Sequence, residues 1–300
     1  KRIKKNKLSK KIIKEKSIFI QKRLPFNLTN SQEKVLNEIN EDLKSKKRMF
    51  RIIQGDVGSG KTIVSLLAIS NVIESGYQCA LMGPTEILAK QHFELAKKIY
   101  KDTNFKIDFL TGKTEIKERK KILENLETGK TNLIIGTHSL FQKKINFKRL
   151  GLAIIDEQHK FGVKQRSELA KKGGNNCDVL LMSATPIPRT MMMSLYGDMD
   201  ISKITEKPAN RKKINTISKP EKKINELWPF LKKQILNKNQ IFWVCPLIEE
   251  SSFLDFSSAK KKFDLINNKF PNQVGLIHGA LDKNEKEIVL KRFLDKKISI

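Results

Sequence analysis

Cysteine is scarce in this 300-residue chain. Cys79, Cys177 and Cys245 stand far apart, are odd in number, and lie in or beside apolar runs. That excludes a disulfide framework and a clustered cysteine metal site, and fits a reducing, cytoplasmic setting. Long apolar runs are missing too. The longest, Ile241-Phe242-Trp243-Val244-Cys245-Pro246-Leu247-Ile248, falls well short of the about 20 residues that a membrane helix needs. An integral membrane protein is therefore excluded. The N-terminus is basic but has no apolar h-region and no small-residue cleavage site, so it does not read as a secretory signal. No repeat or low-complexity tract shows beyond a lysine bias.

Acidic residues are outnumbered, with 32 Asp+Glu against 60 Lys+Arg and a net charge of +28. Such a balance is the electrostatic footprint of a nucleic-acid binder. Lys, Ile and Asn are abundant together, however, as AT-rich coding would produce, and lysine then fills solvated positions without a role. The charge is uneven. Residues 1–24 hold 11 basic residues against one acidic, Glu15. This stretch reads as a flexible or helical basic linker, the tail of an upstream domain. Hydrophobic residues make up 39% of the chain, enough for a core in one large or two medium domains.

From Phe50 onward, short apolar runs alternate with amphipathic stretches. Strands are expected at 50–54, 77–82, 106–110, 133–135, 152–155 and 179–182. Helices are expected at 61–75, 86–100 and 115–127. The strands are apolar on both faces, as in a parallel sheet covered by helices on each side. The fold class is therefore α/β, a doubly wound parallel sheet. The pattern breaks around Glu206-Lys207-Pro208-Ala209-Asn210-Arg211, and a second set follows. Its helices are expected near 221–236, 258–269 and 283–293, with strands at 240–245 and 274–277. Ile298-Ser299-Ile300 reads as the opening of a further strand, so a fragment is expected. The organisation is a linker at 1–24, a first lobe at 25–207 and the start of a second lobe at 208–300.

Gly55-Asp56-Val57-Gly58-Ser59-Gly60-Lys61-Thr62 matches G-x-x-x-x-G-K-[ST] between an expected strand and an expected helix. Glycines let successive backbone N–H groups converge on phosphate oxygens, and the helix N-terminus adds its dipole. Lys61 can reach β- and γ-phosphates, and the Thr62 hydroxyl can ligate Mg²⁺. The plainer reading is a glycine-rich turn. Asp156-Glu157 follows the apolar run Leu152-Ala153-Ile154-Ile155, which sets Asp156 at the carboxyl edge of the sheet. There Asp156 can hold Mg²⁺ through water, and Glu157 can orient or deprotonate an attacking water. A strand-ending acidic turn is the alternative. His159, two residues past Glu157, is either a solvated loop histidine or a residue that bonds a γ-phosphate sensor. In Ser183-Ala184-Thr185-Pro186, after another strand, two hydroxyls can relay phosphate state or merely form a turn.

Together these residues resemble a superfamily 2 helicase, and within it the RecG family of bacterial ATP-dependent DNA helicases. The resemblance is carried by Leu24-Pro25-Phe26-x-Leu28-Thr29-x-x-Gln32, the Gly55–Thr62 loop, Gly83-Pro84-Thr85-Glu86-Ile87-Leu88-Ala89-x-Gln91-His92, and Ile135-Gly136-Thr137-His138-Ser139-Leu140. It continues through Asp156-Glu157-Gln158-His159-x-Phe161-Gly162-Val163-x-Gln165-Arg166, Ser183 to Thr190, Tyr196-Gly197-Asp198, Val244 to Ser251 and Gly275-Leu276-Ile277-His278-Gly279. It runs from about Leu24 to the C-terminus. Mfd-type translocases share the Gly-Asp-Val-Gly opening but usually read Asp-Glu-Glu where this chain has Asp156-Glu157-Gln158, and PriA-type helicases also depart there.

The resemblance implies tandem RecA-like lobes, Mg²⁺-ATP as cofactor and branched or forked DNA as partner, in a monomer without membrane contact. It implies that Gln32 reads adenine, with Phe26 as a stacking candidate. An amide can both donate to and accept from adenine's N7/N6 edge. It further implies that Gln158, His159, Ser183 and Thr185 couple nucleotide state to motion. Thr85, Thr137, His138 and Arg166 would contact the DNA backbone. The family regresses stalled forks with an N-terminal wedge domain and completes its motor with an arginine-finger segment; neither is expected in residues 1–300. A non-motor, nucleotide-binding basic fragment is the competing expectation.

Overall fold

The computed structural model describes residues 6–142, 144–157, 174–185, 199–206, 214–245 and 252–300, the side chains of 252–258 and a few single residues excepted. The chain divides into two compact units, Lys1–Lys212 and Lys213–Ile300.

Among the described residues, the first unit is built on seven parallel strands. They are β1 (Phe50–Gly55), β2 (Gln78–Met82), β3 (Ile107–Leu110), β4 (Leu133–Gly136), β5 (Leu150–Ile155), β6 (Asp178–Ser183) and β7 (Asp200–Ile204). Their order is β3-β4-β2-β5-β6-β1-β7, and every pairing is parallel. Side chains alternate between the faces of a strand, so the apolar runs supply two cores. Cys79, Leu81, Leu152, Ile154, Leu180 and Met182 face one. Ala80, Met82, Ala153, Ile155, Val179 and Leu181 face the other. The first core takes residues of α1 (Glu15–Arg23), α2 (Asn30–Lys44), α3 (Lys61–Glu74) and α4 (Glu86–Ile99). The second takes Ile122 and Leu126 of α5 (Ile116–Thr128). Among the described residues, no helix is long and apolar enough to cross a membrane.

Three features lie beyond the elements expected from sequence. The helix α2 starts on a full capping box: Thr29 Oγ1 accepts from Gln32 N–H, and Gln32 Oε1 accepts from Thr29 N–H. Strand β7 pairs with β1 and ends at Ile204. Within the segment read as a linker, residues 6–24 are folded against the first unit. Lys7 Nζ donates to Asp178 Oδ1 at 2.7 Å, Lys10 Nζ donates to Asp178 Oδ2 at 2.6 Å, and α1 buries Ser17 and Ile20. Two of its lysines thus serve the core rather than solvent.

The second unit departs from expectation in its strands. Residues 240–245 and 274–277 run without a ladder. Ile241 N–H donates to Ser299 O and Gly275 N–H to Ile300 O, while Ser299 and Ile300 N–H both donate to Gln273 O. The last residues therefore lie between the two runs. Isolated bonds of this kind do not make the regular repeat of a parallel pair. The expected helices appear as a 3-10 turn Glu221–Glu226 leading into Leu227–Leu236, then Ser252–Lys269 and Lys283–Leu294. Leu231, Ile266, Phe270 and Ile300 form a small core beside stacked Trp228 and Trp243, whose centroids are 5.8 Å apart.

Candidate functional site

All strands of a parallel sheet end at one edge, and ligands of such sheets gather there. Along that edge of the first unit, in spatial order, follow the ends of β4 with Thr137, β2 with Thr85, β5 with Asp156, β6 with Ser183 and β1 with the Gly55–Thr62 loop.

The loop is shaped by its glycines. Gly58 and Gly60 have φ of 77° and 89°, a region that side-chain-bearing residues rarely enter. A Cβ on Gly60 would also collide with the Gln32 amide nitrogen. That nitrogen donates to Ser59 O at 2.8 Å, so α2 braces the loop. Among the described residues two bonds engage the Gln32 amide, which leaves capacity for one further donated and one further accepted bond, as an edge such as adenine's would use. Phe26 is exposed in the turn before α2.

Lys61 opens α3 and folds back, donating from Nζ to Gly55 O at 2.6 Å and to Asp56 O at 2.9 Å. Burial lowers its pKa from the usual 10.5, while Asp156, Glu157 and Asp56 oppose that shift. These carboxylates therefore bear on the ammonium. The N-cap of α3 is Gly60, without a side-chain cap bond, and no acidic residue lies in the first turn. Its leading N–H groups are thus presented to an anion rather than neutralised by the helix itself. The Ser59 hydroxyl is buried in the loop, and among the described residues it has no hydrogen-bond partner. A phosphate chain fits this cradle of amides, ammonium and orphaned hydroxyl. Thr62 and Asp156 offer oxygen ligands of the kind that Mg²⁺ prefers.

Asp156 is nearly buried at the end of β5. Its Oδ1 accepts from Glu157 N–H at 3.0 Å, and its Oδ2 lies 2.8 Å from His92 Nε2. Glu157 has φ of 47°, a left-handed conformation rare for a residue with a side chain and frequent at functional sites. Ser183 is buried, and its hydroxyl pairs with Thr185 Oγ1 at 3.1 Å and caps Thr185 N–H at 3.3 Å. Thr185 itself is exposed.

Thr85 caps α4, accepting from Leu88 N–H, and is exposed. Thr137 is buried, whereas the neighbouring His138 is exposed. Gln158, His159 and Arg166 lie outside the described residues. Sequence reasoning assigned no role to His92. Its signal was present, because Ala89, His92 and Ala96 form the buried stripe of α4, and a polar residue on such a stripe needs a partner.

The sheet, the loop and the carboxylate at the neighbouring strand end define a P-loop NTPase unit of RecA-like fold. The DEAD/DEAH box helicase model matches residues 29–194, more than half of the chain. The chain belongs to the DEAD/DEAH box helicase family. It is 44% identical to the ATP-dependent DNA helicase RecG of Thermotoga maritima over 281 residues, which cover 93% of this chain and 36% of that protein. The RecG of Bacillus subtilis is likewise 44% identical over 274 residues, 91% of this chain and 40% of the relative. A solved structure of RecG bound to a three-way DNA junction superposes with a TM-score of 0.81 at 38% identity, covering 98% of this chain and 38% of that one. The RNA-bound DEAD-box helicase Mss116 shares the fold, at TM-score 0.68, 20% identity and coverage of 96% and 63%. The chain thus spans two fifths or less of the length of these RecG relatives.

Proposed function

We propose that this chain is the nucleotide-binding part of an ATP-dependent DNA helicase of the RecG kind, which couples ATP hydrolysis to unwinding and regression of forked and branched DNA. The observation that supports the reading most is the shared sheet edge. The loop and Asp156-Glu157 end β1 and β5, and the Thr85 and Thr137 segments end β2 and β4. Nucleotide chemistry and a DNA track would then be served by neighbouring strand ends of one rigid sheet.

In this reading Gln32 and Phe26 take adenine. Loop amides, Lys61 and the α3 N-terminus bind phosphates, and Thr62 and Asp156 hold Mg²⁺, which neutralises charge on the phosphates. Glu157 orients the attacking water and accepts its proton. Ser183 and Thr185, with Gln158 and His159, report nucleotide state. Thr85, Thr137, His138 and Arg166 take backbone phosphates, which carry no base information.

ATP hydrolysis measured with and without a three-way DNA junction tests the proposal. In a longer protein that carries the arginine-finger segment as well, junction-stimulated turnover that Glu157→Gln reduces by roughly 10²–10⁴-fold, with nucleotide binding kept, is the expected result. Nucleotide binding without any junction-stimulated turnover would favour a non-motor nucleotide-binding fragment instead.

A further inference from the structure

Resting on the nucleotide-site reading above, we propose that His92 is a positioning residue that fixes the Asp156 carboxylate in the orientation from which it meets hydrated Mg²⁺. An aspartate at a strand end can turn its carboxylate plane freely unless both oxygens are tied. Here both are. Glu157 N–H holds Oδ1 at 3.0 Å and His92 Nε2 holds Oδ2 at 2.8 Å. A carboxylate only accepts, so His92 carries its proton on Nε2, and each Asp156 oxygen keeps lone-pair capacity for a second contact.

The tether is itself anchored. His92 is 7% exposed and shares the buried stripe of α4 with Ala89 and Ala96, while Thr85 caps the helix start. The helix follows β2, the direct neighbour of β5, so it reaches Asp156 from the adjacent strand. A core histidine satisfied for its own sake could bond any carbonyl. This one bonds a carboxylate that also acts on Lys61. The arrangement is that of an outer-shell partner, whose loss weakens metal binding about 10–100-fold in comparable sites.

The test titrates Mg²⁺ into the 300-residue chain with a fluorescent ADP analogue and reads the midpoint of the metal-dependent gain in affinity. For His92→Ala the midpoint should rise roughly 10–100-fold, with metal-free ADP binding close to wild type and a cooperative thermal unfolding transition retained. His92→Gln, whose Nε2–H can donate to the same oxygen, should return the midpoint towards wild type. Asp156→Ala should abolish the metal-dependent gain. If Asp156→Ala abolishes it while His92→Ala leaves the midpoint unmoved, the positioning role is overturned and the nucleotide site stands. A His92→Gln variant as impaired as His92→Ala would reduce the histidine to packing and also overturns the role. Should Asp156→Ala leave the midpoint unmoved, the nucleotide-site reading falls, and the positioning role with it.

Discussion

Lys7 Nζ donates to both carboxylate oxygens of Asp178, at 2.7 and 2.6 Å, across 171 residues of chain, and both side chains are fully buried. Lys10 Nζ and Met49 N–H converge on the same carboxylate at 2.6 and 2.7 Å. Two ammoniums and an amide thus enclose one carboxylate at the start of β6. The segment before the first lobe is clasped to the sheet by this group.

The clasp predicts a large, specific stability loss. Asp178→Ala would leave two buried ammoniums without their carboxylate, a defect of about 3–5 kcal/mol, read as a shift of the urea unfolding midpoint. Burial also lowers the Lys7 pKa from 10.5, which gives a pH signature. The unfolded chain holds that proton up to the ordinary value, and the folded chain gives it up earlier. Between the two pKa values the unfolded state binds more protons, so rising pH favours folding through this group. Wild type should gain stability relative to Lys7→Met as pH rises towards 10.5. A pH-independent difference between the two proteins would contradict the shift.

The phosphate loop gives a second prediction. Lys61→Ala should weaken Mg²⁺-ATP binding by roughly 1.5–3 kcal/mol, the worth of a charge-assisted contact. Gly60→Ala attacks the same loop differently. Its φ of 89° strains a residue that carries a side chain, at a cost of roughly 1–2 kcal/mol, and the added Cβ would displace the Gln32 amide that braces the loop. Calorimetry should show binding weakened in both variants, with folding impaired only for Gly60→Ala. Wild-type affinity in Lys61→Ala would reject the phosphate assignment.

Thiol chemistry reports on burial. Cys79 and Cys177 are fully buried, desolvation pushes the Cys177 thiol up to about 12, and it raises Cys79 further still. Cys245 is half-buried. A maleimide at neutral pH should label Cys245 first and reach the other two only on unfolding, since the thiolate is the reactive form. Rapid native labelling of Cys79 would contradict the packing of β2.

The sequence made most of the first sheet legible because its central strands are continuous apolar runs. Strand β7 escaped. Asp200-Ile201-Ser202-Lys203-Ile204 is a half-polar strand, and among the described residues it pairs with β1 alone, at the edge of the sheet. The clasp escaped for a different reason. Lys7 and Lys10 look like two more solvated lysines in a basic run, and only the fold brings Asp178 to them. The places of the Gly55–Thr62 turn between β1 and α3 and of Asp156-Glu157 at the end of β5 were legible because glycine spacing and a strand-ending acidic pair are local signals. The His92 contact depends on the stacking of α4 over neighbouring strands, which no local spacing records. In the second unit the apolar runs were legible, but their ladder is not formed.

The clasp also changes how a DNA track must be tested. Cutting the chain near Leu24 would remove the positive tail, but it would also strip Lys7 and Lys10 from buried Asp178, so lost DNA affinity could mean a damaged sheet. Substitution of exposed Lys11 and Lys22 by Gln removes tail charge and spares the clasp. For the sheet edge, Thr85→Asp is the informative change. Aspartate caps a helix as well as threonine does, so α4 should stay formed, but a carboxylate now faces any phosphate at that position. If Thr85 lies on the track, Thr85→Asp should weaken junction DNA binding regardless of base sequence, and Thr85→Ser should not. The tail variant should mainly flatten the salt dependence, since each lost phosphate contact lowers the slope of log K against log salt by about 0.9 for duplex DNA. Unchanged DNA affinity in Thr85→Asp, together with full loss in the tail variant, would assign the binding to the basic segment and remove the β2 strand end from the track.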